Sequence, residues 1–191
     1  MKLILASTSP YRAQQLKRIG LDFETCDPNV DEDLFKQAGF TPDTLAEVLA
    51  LEKAKTVSQQ YPQAVVIGGD QLISFENRIL GKPGSEELAI EQLLSMQGRT
   101  HLLITAIAVI GPDFLETHIN QTTLKMRDLS RPAVERYVRF DQPLNCAGAY
   151  KLESQGITLF EEIQSTDHSA ITGIPLIALT SLLITAGITI P

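Results

Sequence analysis

Residues 64–83, AVVIGGDQLISFENRILGKP, place a buried strand, a carboxylate and a hairpin in one short stretch. Val65-Val66-Ile67 is a continuous apolar run, as expected of a strand covered on both faces. Gly68-Gly69 and then Asp70 follow, so a carboxylate is expected at the end of that strand. The two glycines let another backbone or a ligand come close there. Leu72, Ile73 and Phe75, then Ile79 and Leu80, flank the polar turn Glu76-Asn77-Arg78, which predicts a β-hairpin. Closed at Glu76-Asn77, the hairpin sets Lys82 opposite or next to Gln71. An acid, an amide and a cation at one sheet end suit a phosphate-bearing substrate. A solvated salt bridge on a surface turn is the other reading of the same residues, and this stretch alone leaves both open.

Upstream, Leu3-Ile4-Leu5 predicts a short buried strand, Ala6-Ser7-Thr8-Ser9 a loop, and Ser9-Pro10 the N-cap and first position of a helix reaching about Arg18. Gly20 stops it. Hydroxyls and free helix N–H groups therefore meet at one point, with Arg12 in the first turn. A cation there opposes the helix dipole unless an anion binds; a capped helix with an arginine facing solvent is the plainer alternative. A strand is expected over 21–25, and an acidic loop over 27–33 that either holds a divalent cation or is simply solvated. Thr41-Pro42 opens a helix to about Gln60, in which Leu45 and Leu49 step onto Lys53. That lysine either snorkels at the core edge or enters a cleft, and spacing does not separate the two.

Downstream, Ser85 caps a helix ending at Gly98, and strands are expected over 100–110, 116–126 and 156–163. Ser130 caps another helix, residues 144–153 form a small-residue loop, and 174–186 form a last helix. Strands and helices alternate early and strands cluster later, so the fold class is α/β with a mixed sheet. His101, His118 and His168 are scattered and read as structural, with His101 placed to satisfy backbone groups at a strand start.

The chain has 191 residues, 43% hydrophobic and 20% charged, which predicts one domain or one domain with two lobes. A net charge of -7 argues against a nucleic-acid polymer as partner, though not against a small nucleotide. Cys26 and Cys146 show no metal-ligand spacing, which suits a reduced, cytoplasmic setting. The N-terminal apolar run is too short for a signal segment, and the apolar C-terminal run is broken by Gly173, Pro175 and Gly187, so no membrane span is expected.

The opening Leu3-Ile4-Leu5-Ala6-Ser7-Thr8-Ser9-Pro10-Tyr11-Arg12 resembles the signature of the Maf family of nucleoside triphosphate pyrophosphatases. Asp31-Glu32, Glu52-Lys53-Ala54, Gly69-Asp70-Gln71, Gly81-Lys82-Pro83, Gly98-Arg99-Thr100-His101, Ala147-Gly148-Ala149-Tyr150 and Gly173-Ile174-Pro175-Leu176 follow in the family's order. The resemblance covers nearly the whole chain as a single Maf-like domain. It implies an elongated mixed sheet flanked by helices, in two lobes with a cleft between them. It also implies hydrolysis of a nucleotide at the α–β anhydride with a divalent metal, Mg or Mn. By position, Ser7, Ser9, Arg12 and Lys53 would hold phosphates. Asp70, Glu32 and Lys82 would be catalytic, with Glu32 and Asp70 toward the metal. A homodimer is implied by the resemblance only.

Where the common family pattern has two arginines after the proline, this chain has Tyr11 and then Arg12. Tyr11, Gln71 and Glu153 fit the branch that resembles 7-methyl-GTP pyrophosphatases; the dTTP/UTP branch would carry Arg, Thr and Gln there. A 7-methylated guanine is cationic, an aromatic face attracts a cation, and a carboxylate accepts from the guanine N–H edge. The resemblance thus implies a house-cleaning enzyme for a modified nucleotide. A dTTP/UTP pyrophosphatase and a nucleotide-binding regulator of cell division or septum formation are the alternatives.

Overall fold

The computed structural model describes residues 1–190. In chain order its elements are β1 (Leu3–Ala6), α1 (Pro10–Arg18), β2 (Glu24–Cys26), α2 (Glu32–Lys36), α3 (Pro42–Ser58), β3 (Val65–Phe75) and β4 (Arg78–Leu80). Then follow α4 (Glu86–Met96), β5 (Thr100–Gly111), β6 (Phe114–Met126), α5 (Arg131–Asp141), β7 (Phe160–Gln164) and α6 (Leu176–Thr185). The strands form a seven-stranded mixed sheet in the order β2-β1-β3-β5-β6-β7, with β4 paired to β3. The fold is the α/β class expected.

The chain divides into two compact units. The first comprises Met1–Gln71, Thr105–Asn120 and Asp167–Pro191, and the second Leu72–Ile104 and Gln121–Thr166. In the first unit β1 pairs in parallel with β2 and β3, and Ala6 lies opposite Gly68. Its core gathers Leu5, Leu16, Ile67, Ile107, Leu179 and Leu183, all fully shielded from solvent. Ser9 caps α1, its hydroxyl accepting from the Arg12 N–H at 3.4 Å, and Thr41 caps α3 in the same way. Both helices begin with proline, whose fixed φ suits that position. In the second unit Leu93, Met96, Ile104, Leu124, Val134 and Val138 are buried. Among the described residues no helix is long and apolar enough to cross a membrane.

The hairpin forms with the predicted register, Ile73 opposite Leu80 and Phe75 opposite Arg78. Glu76 (φ 51°) and Asn77 (φ 60°) both take the left-handed conformation that a tight two-residue hairpin turn requires. The ladder stops at Leu80, before Lys82.

Several expectations are corrected. Asp70 does not end a strand: β3 runs unbroken from Val65 to Phe75, because Gly68 and Gly69 stay extended within it. The strand expected over 21–25 is only Glu24–Cys26. The acidic loop closes into α2 at Glu32, because the Asp31 carboxylate caps it, accepting from the Asp33 N–H at 3.1 Å. Residues Gln155–Leu159 form a 3-10 turn, and the strand expected over 156–163 starts only at Phe160. His101 pairs with a side chain instead of backbone groups: its Nε2 lies 3.0 Å from the Tyr150 hydroxyl.

Candidate active site

The site in the first unit is set by a helix lying directly on a strand. A Cβ at Gly68 would stand 2.1 Å from the Ala50 carbonyl oxygen and 2.7 Å from the Ala54 amide nitrogen. Only a residue without a side chain lets α3 approach β3 this closely. The buried face of α3 is Leu45, Ala46, Leu49, Ala50, Lys53, Ala54 and Val57, so Lys53 is the one charge on an apolar stripe. With α3 seated at Gly68, Lys53 reaches Asp70, two residues further along β3. Its Nζ donates to Asp70 Oδ1 at 2.7 Å and lies 2.6 Å from Glu32 Oε1. The lysine therefore enters a carboxylate pair; the two readings left open by spacing are separated by this contact.

The pair is shielded unequally. Asp70 is 5% exposed and Lys53 8%, whereas the Glu32 side chain is 39% exposed. The second oxygen of Asp70, Oδ2, is buried and has no hydrogen-bond partner among the described residues. Desolvating a carboxylate oxygen without a partner is costly, and such an atom marks a place for a proton, a water or a cation.

The parallel register brings the loop after β1 alongside. Ala6 lies opposite Gly68, so Ser7 begins next to Gly69-Asp70, at the carboxyl ends of the parallel strands β1 and β2, where open α/β sheets bind ligands, while β3 runs on past it. Ser7 is buried; its Oγ accepts from the Ser9 N–H at 3.1 Å and from Arg12 Nη1 at 3.4 Å. Arg12 also donates from Nε to the Gly173 carbonyl at 3.2 Å. Burial pushes the Arg12 guanidinium below its usual value, opposed by Asp70 and then Glu32, so the arginine sits within electrostatic reach of both acids. It stays charged, as guanidinium does in proteins. Tyr11, in the same first turn, is 45% exposed.

Gln71 is held by its amide nitrogen, which donates to Thr105 Oγ1 at 2.9 Å, to the Ala170 carbonyl at 2.9 Å and to the Ile171 carbonyl at 3.3 Å. Two carbonyl acceptors fix which end of the amide is nitrogen. Thr105 itself donates to the same Ala170 carbonyl at 3.0 Å. Thr105 and the 170–173 carbonyls had no signal in the sequence, because hydrogen bonds to main-chain oxygen leave no residue type behind.

The first unit thus gathers Ser7, Ser9, Arg12, Glu32, Lys53, Asp70 and Gln71. Lys82 and Glu153 belong to the second unit, both exposed. Both act on the Cys146 thiol. Burial pushes that thiol up, Lys151 opposes, Glu153 adds and Lys82 opposes. Both cysteines are free.

A divalent cation fits the donor set at Asp70. Among the described residues no cluster of three or more His, Cys, Asp or Glu side chains could hold a metal by itself. Glu32 and the unpartnered Asp70 Oδ2 nevertheless offer two carboxylates, the modest protein share typical of magnesium bound jointly with substrate phosphates.

The Maf-like protein family model matches residues 2–186. The chain is 48% identical over 187 residues, 98% of each chain, to a 7-methyl-GTP pyrophosphatase of Bdellovibrio bacteriovorus. It is 46% identical over 191 residues, 100% of this chain and 98% of the relative, to a 7-methyl-GTP pyrophosphatase of Xanthomonas campestris pv. campestris. Among solved structures, the Staphylococcus aureus Ham1 protein is a distant likeness, with 18% identity and a TM-score of 0.47 over 97% of this chain and 99% of that one. With the family's match running almost from end to end, this chain belongs to the Maf family.

Proposed function

We propose that the chain hydrolyses the α–β phosphoanhydride of 7-methyl-GTP, giving the monophosphate and pyrophosphate. The observation that carries this is Asp70, a buried carboxylate with one oxygen held by Lys53 at 2.7 Å and the other without a partner. The names of the relatives, both 7-methyl-GTP pyrophosphatases, support the substrate.

Asp70 Oδ2 orients a water and takes its proton as the water oxygen bonds to the α-phosphorus. The bond from that phosphorus to the bridging oxygen breaks, and pyrophosphate leaves with the electron pair. Lys53 fixes the Asp70 carboxylate through Oδ1, leaving Oδ2 for the water. Ser7, Ser9 and Arg12 at the start of α1 receive phosphate oxygens, with the helix N-terminus adding its partial positive charge. Arg12 and Lys53 only balance Asp70 and Glu32 in charge, so a triphosphate needs more. Lys82 supplies a further cation, and Glu32 would hold Mg or Mn together with substrate phosphates, since the free Asp70 oxygen is committed to the water. Bound there, the ion would offset phosphate charge and polarise the scissile anhydride. Tyr11, Gln71 and Glu153 choose the base: an aromatic face and a carboxylate suit a cationic purine. The setting is cytoplasmic and the expected assembly a homodimer, which light scattering on the purified chain would read.

The deciding experiment is pyrophosphate release from 7-methyl-GTP, GTP, dTTP, UTP and CTP, with Mg, with Mn and with chelator. The expected result is a clear preference for 7-methyl-GTP that chelation removes. A preference for dTTP or UTP moves the chain to the pyrimidine branch, and no release from any nucleotide leaves only a binding role.

A further inference from the structure

The second unit holds a buried acid that takes no part in the chemistry above. Asp141, the last residue of α5, is 7% exposed. Its Oδ1 accepts from Ser154 Oγ at 2.7 Å, and its main-chain oxygen accepts from Lys151 Nζ at 2.7 Å. One turn earlier, the Tyr137 hydroxyl accepts from the Lys151 main-chain N–H at 3.0 Å. Asp141 Oδ2 is buried without a hydrogen-bond partner among the described residues.

These contacts grip a short turn from both sides. The Lys151 carbonyl accepts from the N–H groups of Ser154 at 3.1 Å and Gly156 at 3.0 Å. A Cβ at Gly156 would stand 2.3 Å from that carbonyl oxygen, so the turn closes only around glycine. Glu153 is the exposed residue between the two that Asp141 holds. The turn has its own backbone hydrogen bonds, so a buried aspartate adds desolvation cost without being needed to form it. Its two contacts do restrict where the residue between them stands. A carboxylate fixed before binding loses less conformational entropy when the ligand arrives.

We propose that Asp141 is a positioning residue for Glu153: it fastens the 151–156 turn to α5 and so presents the Glu153 carboxylate to the N–H edge of a cationic purine. This rests on the assignment of Glu153 to base choice made above. Ser154 transmits the restraint from the Asp141 carboxylate, the Lys151 contact being to a main-chain oxygen that any residue there would offer, and Asp141 itself touches no substrate.

The test is the ratio of kcat/KM for 7-methyl-GTP to that for UTP in Asp141→Ala, Asp141→Asn, Ser154→Ala, Glu153→Gln and the Asp141→Ala/Glu153→Gln pair. Asp141→Ala is expected to lower the ratio about tenfold, through KM for 7-methyl-GTP, and to lower it no further in the Glu153→Gln background, as residues acting through one another are non-additive. Ser154→Ala moves the ratio the same way, and Asp141→Asn, which keeps an acceptor for Ser154, retains it. Equal loss on both nucleotides, or an additive loss in the double variant, overturns the proposal. A ratio unmoved by Glu153→Gln overturns instead the assignment of Glu153 on which it rests. Should Asp141→Ala fail to fold, Ser154→Ala decides at the surface, and an unchanged ratio there counts against the proposal.

Discussion

Each unit buries a small polar group in an apolar interior, and the two are built on opposite principles. In the first, Lys53 meets Asp70 and Glu32 at 2.6–2.7 Å, with one Asp70 oxygen left over. In the second, His101 is 2% exposed, with Nε2 against the Tyr150 hydroxyl, its ring against those of Tyr150 and Phe160, and Nδ1 buried without a hydrogen-bond partner among the described residues. Burial holds that imidazole down to about 4 and pushes the Tyr150 phenol up, so both are neutral near neutral pH. A group that only has to pack is cheapest when uncharged. A spare acceptor alone does not mark a reaction site, since Asp141 Oδ2 too lacks a hydrogen-bond partner among the described residues; what marks the first cluster is a lysine shared by two acids with Arg12 within electrostatic reach of both. The contrast teaches which of two buried polar groups to assign to chemistry.

Removing the spare acceptor breaks the contrast most directly. Asp70→Asn is expected to lower kcat for pyrophosphate release by about a thousandfold, the range of general-base loss, while thermal melting moves little because Lys53 keeps Glu32. Full activity in this variant would falsify Asp70 as the base. Next in size is Gly68→Ala. The added Cβ meets main-chain oxygen at 2.1 Å, so α3 must shift as a body. A loss of about 3 kcal/mol in urea unfolding is expected, as for severe overpacking, together with reduced activity as Lys53 moves off Asp70.

How much of this was legible in the sequence follows from how far apart the partners lie. The β1–loop–α1 start, the caps at Ser9, Thr41 and Ser85 and the hairpin register are local, and turn chemistry and apolar runs reveal them. Gly68 was visible as a close-approach glycine, but not that α3 is what approaches. Lys53 and Asp70 are 17 residues apart, Gln71 and Ala170 are 99, and Arg12 and Gly173 are 161. No periodicity links such pairs, so the joining of Lys53 to both acids needed the structure. The continuation of β3 through Asp70 was missed because a Gly-Gly pair signals a break, whereas here it stays extended. Asp141 carries no signal in the sequence, since Lys151 falls in the small-residue loop 144–153, Ser154 lies just beyond it, and no spacing links either to the end of a helix.

Lys53→Met sharpens the comparison from the other side, making the first unit's site resemble the second's by removing its cation. The stripe on α3 becomes wholly apolar, which favours burial, but Asp70 and Glu32 then lose the lysine they share and keep Arg12 only at electrostatic reach. A net loss of about 2 kcal/mol is expected, below the full range for a broken buried pair because Glu32 is partly in water. The activity loss should exceed what this destabilisation explains. Calorimetry beside kinetics separates the two, and a stabilised variant with normal turnover would show that Lys53 is only a packing residue.

The smallest effect belongs to the neutral pair. With its value held down to about 4 against the ordinary 6.5, His101 binds no proton in the folded chain where it does in the unfolded one. Between those two values the unfolded state takes up more protons, so this residue's contribution to stability is whole above about pH 6.5 and drains as pH falls toward 4. From about pH 7 to about pH 5.5 the loss attributable to it is about 1 kcal/mol. His101→Gln removes the titration and keeps a polar group for Tyr150, so its denaturation midpoint should change less over the same interval than that of the parent chain. If the two pH slopes coincide, His101 does not stay neutral in the folded state, and the line drawn between a charged site and an uncharged structural pair loses its second half.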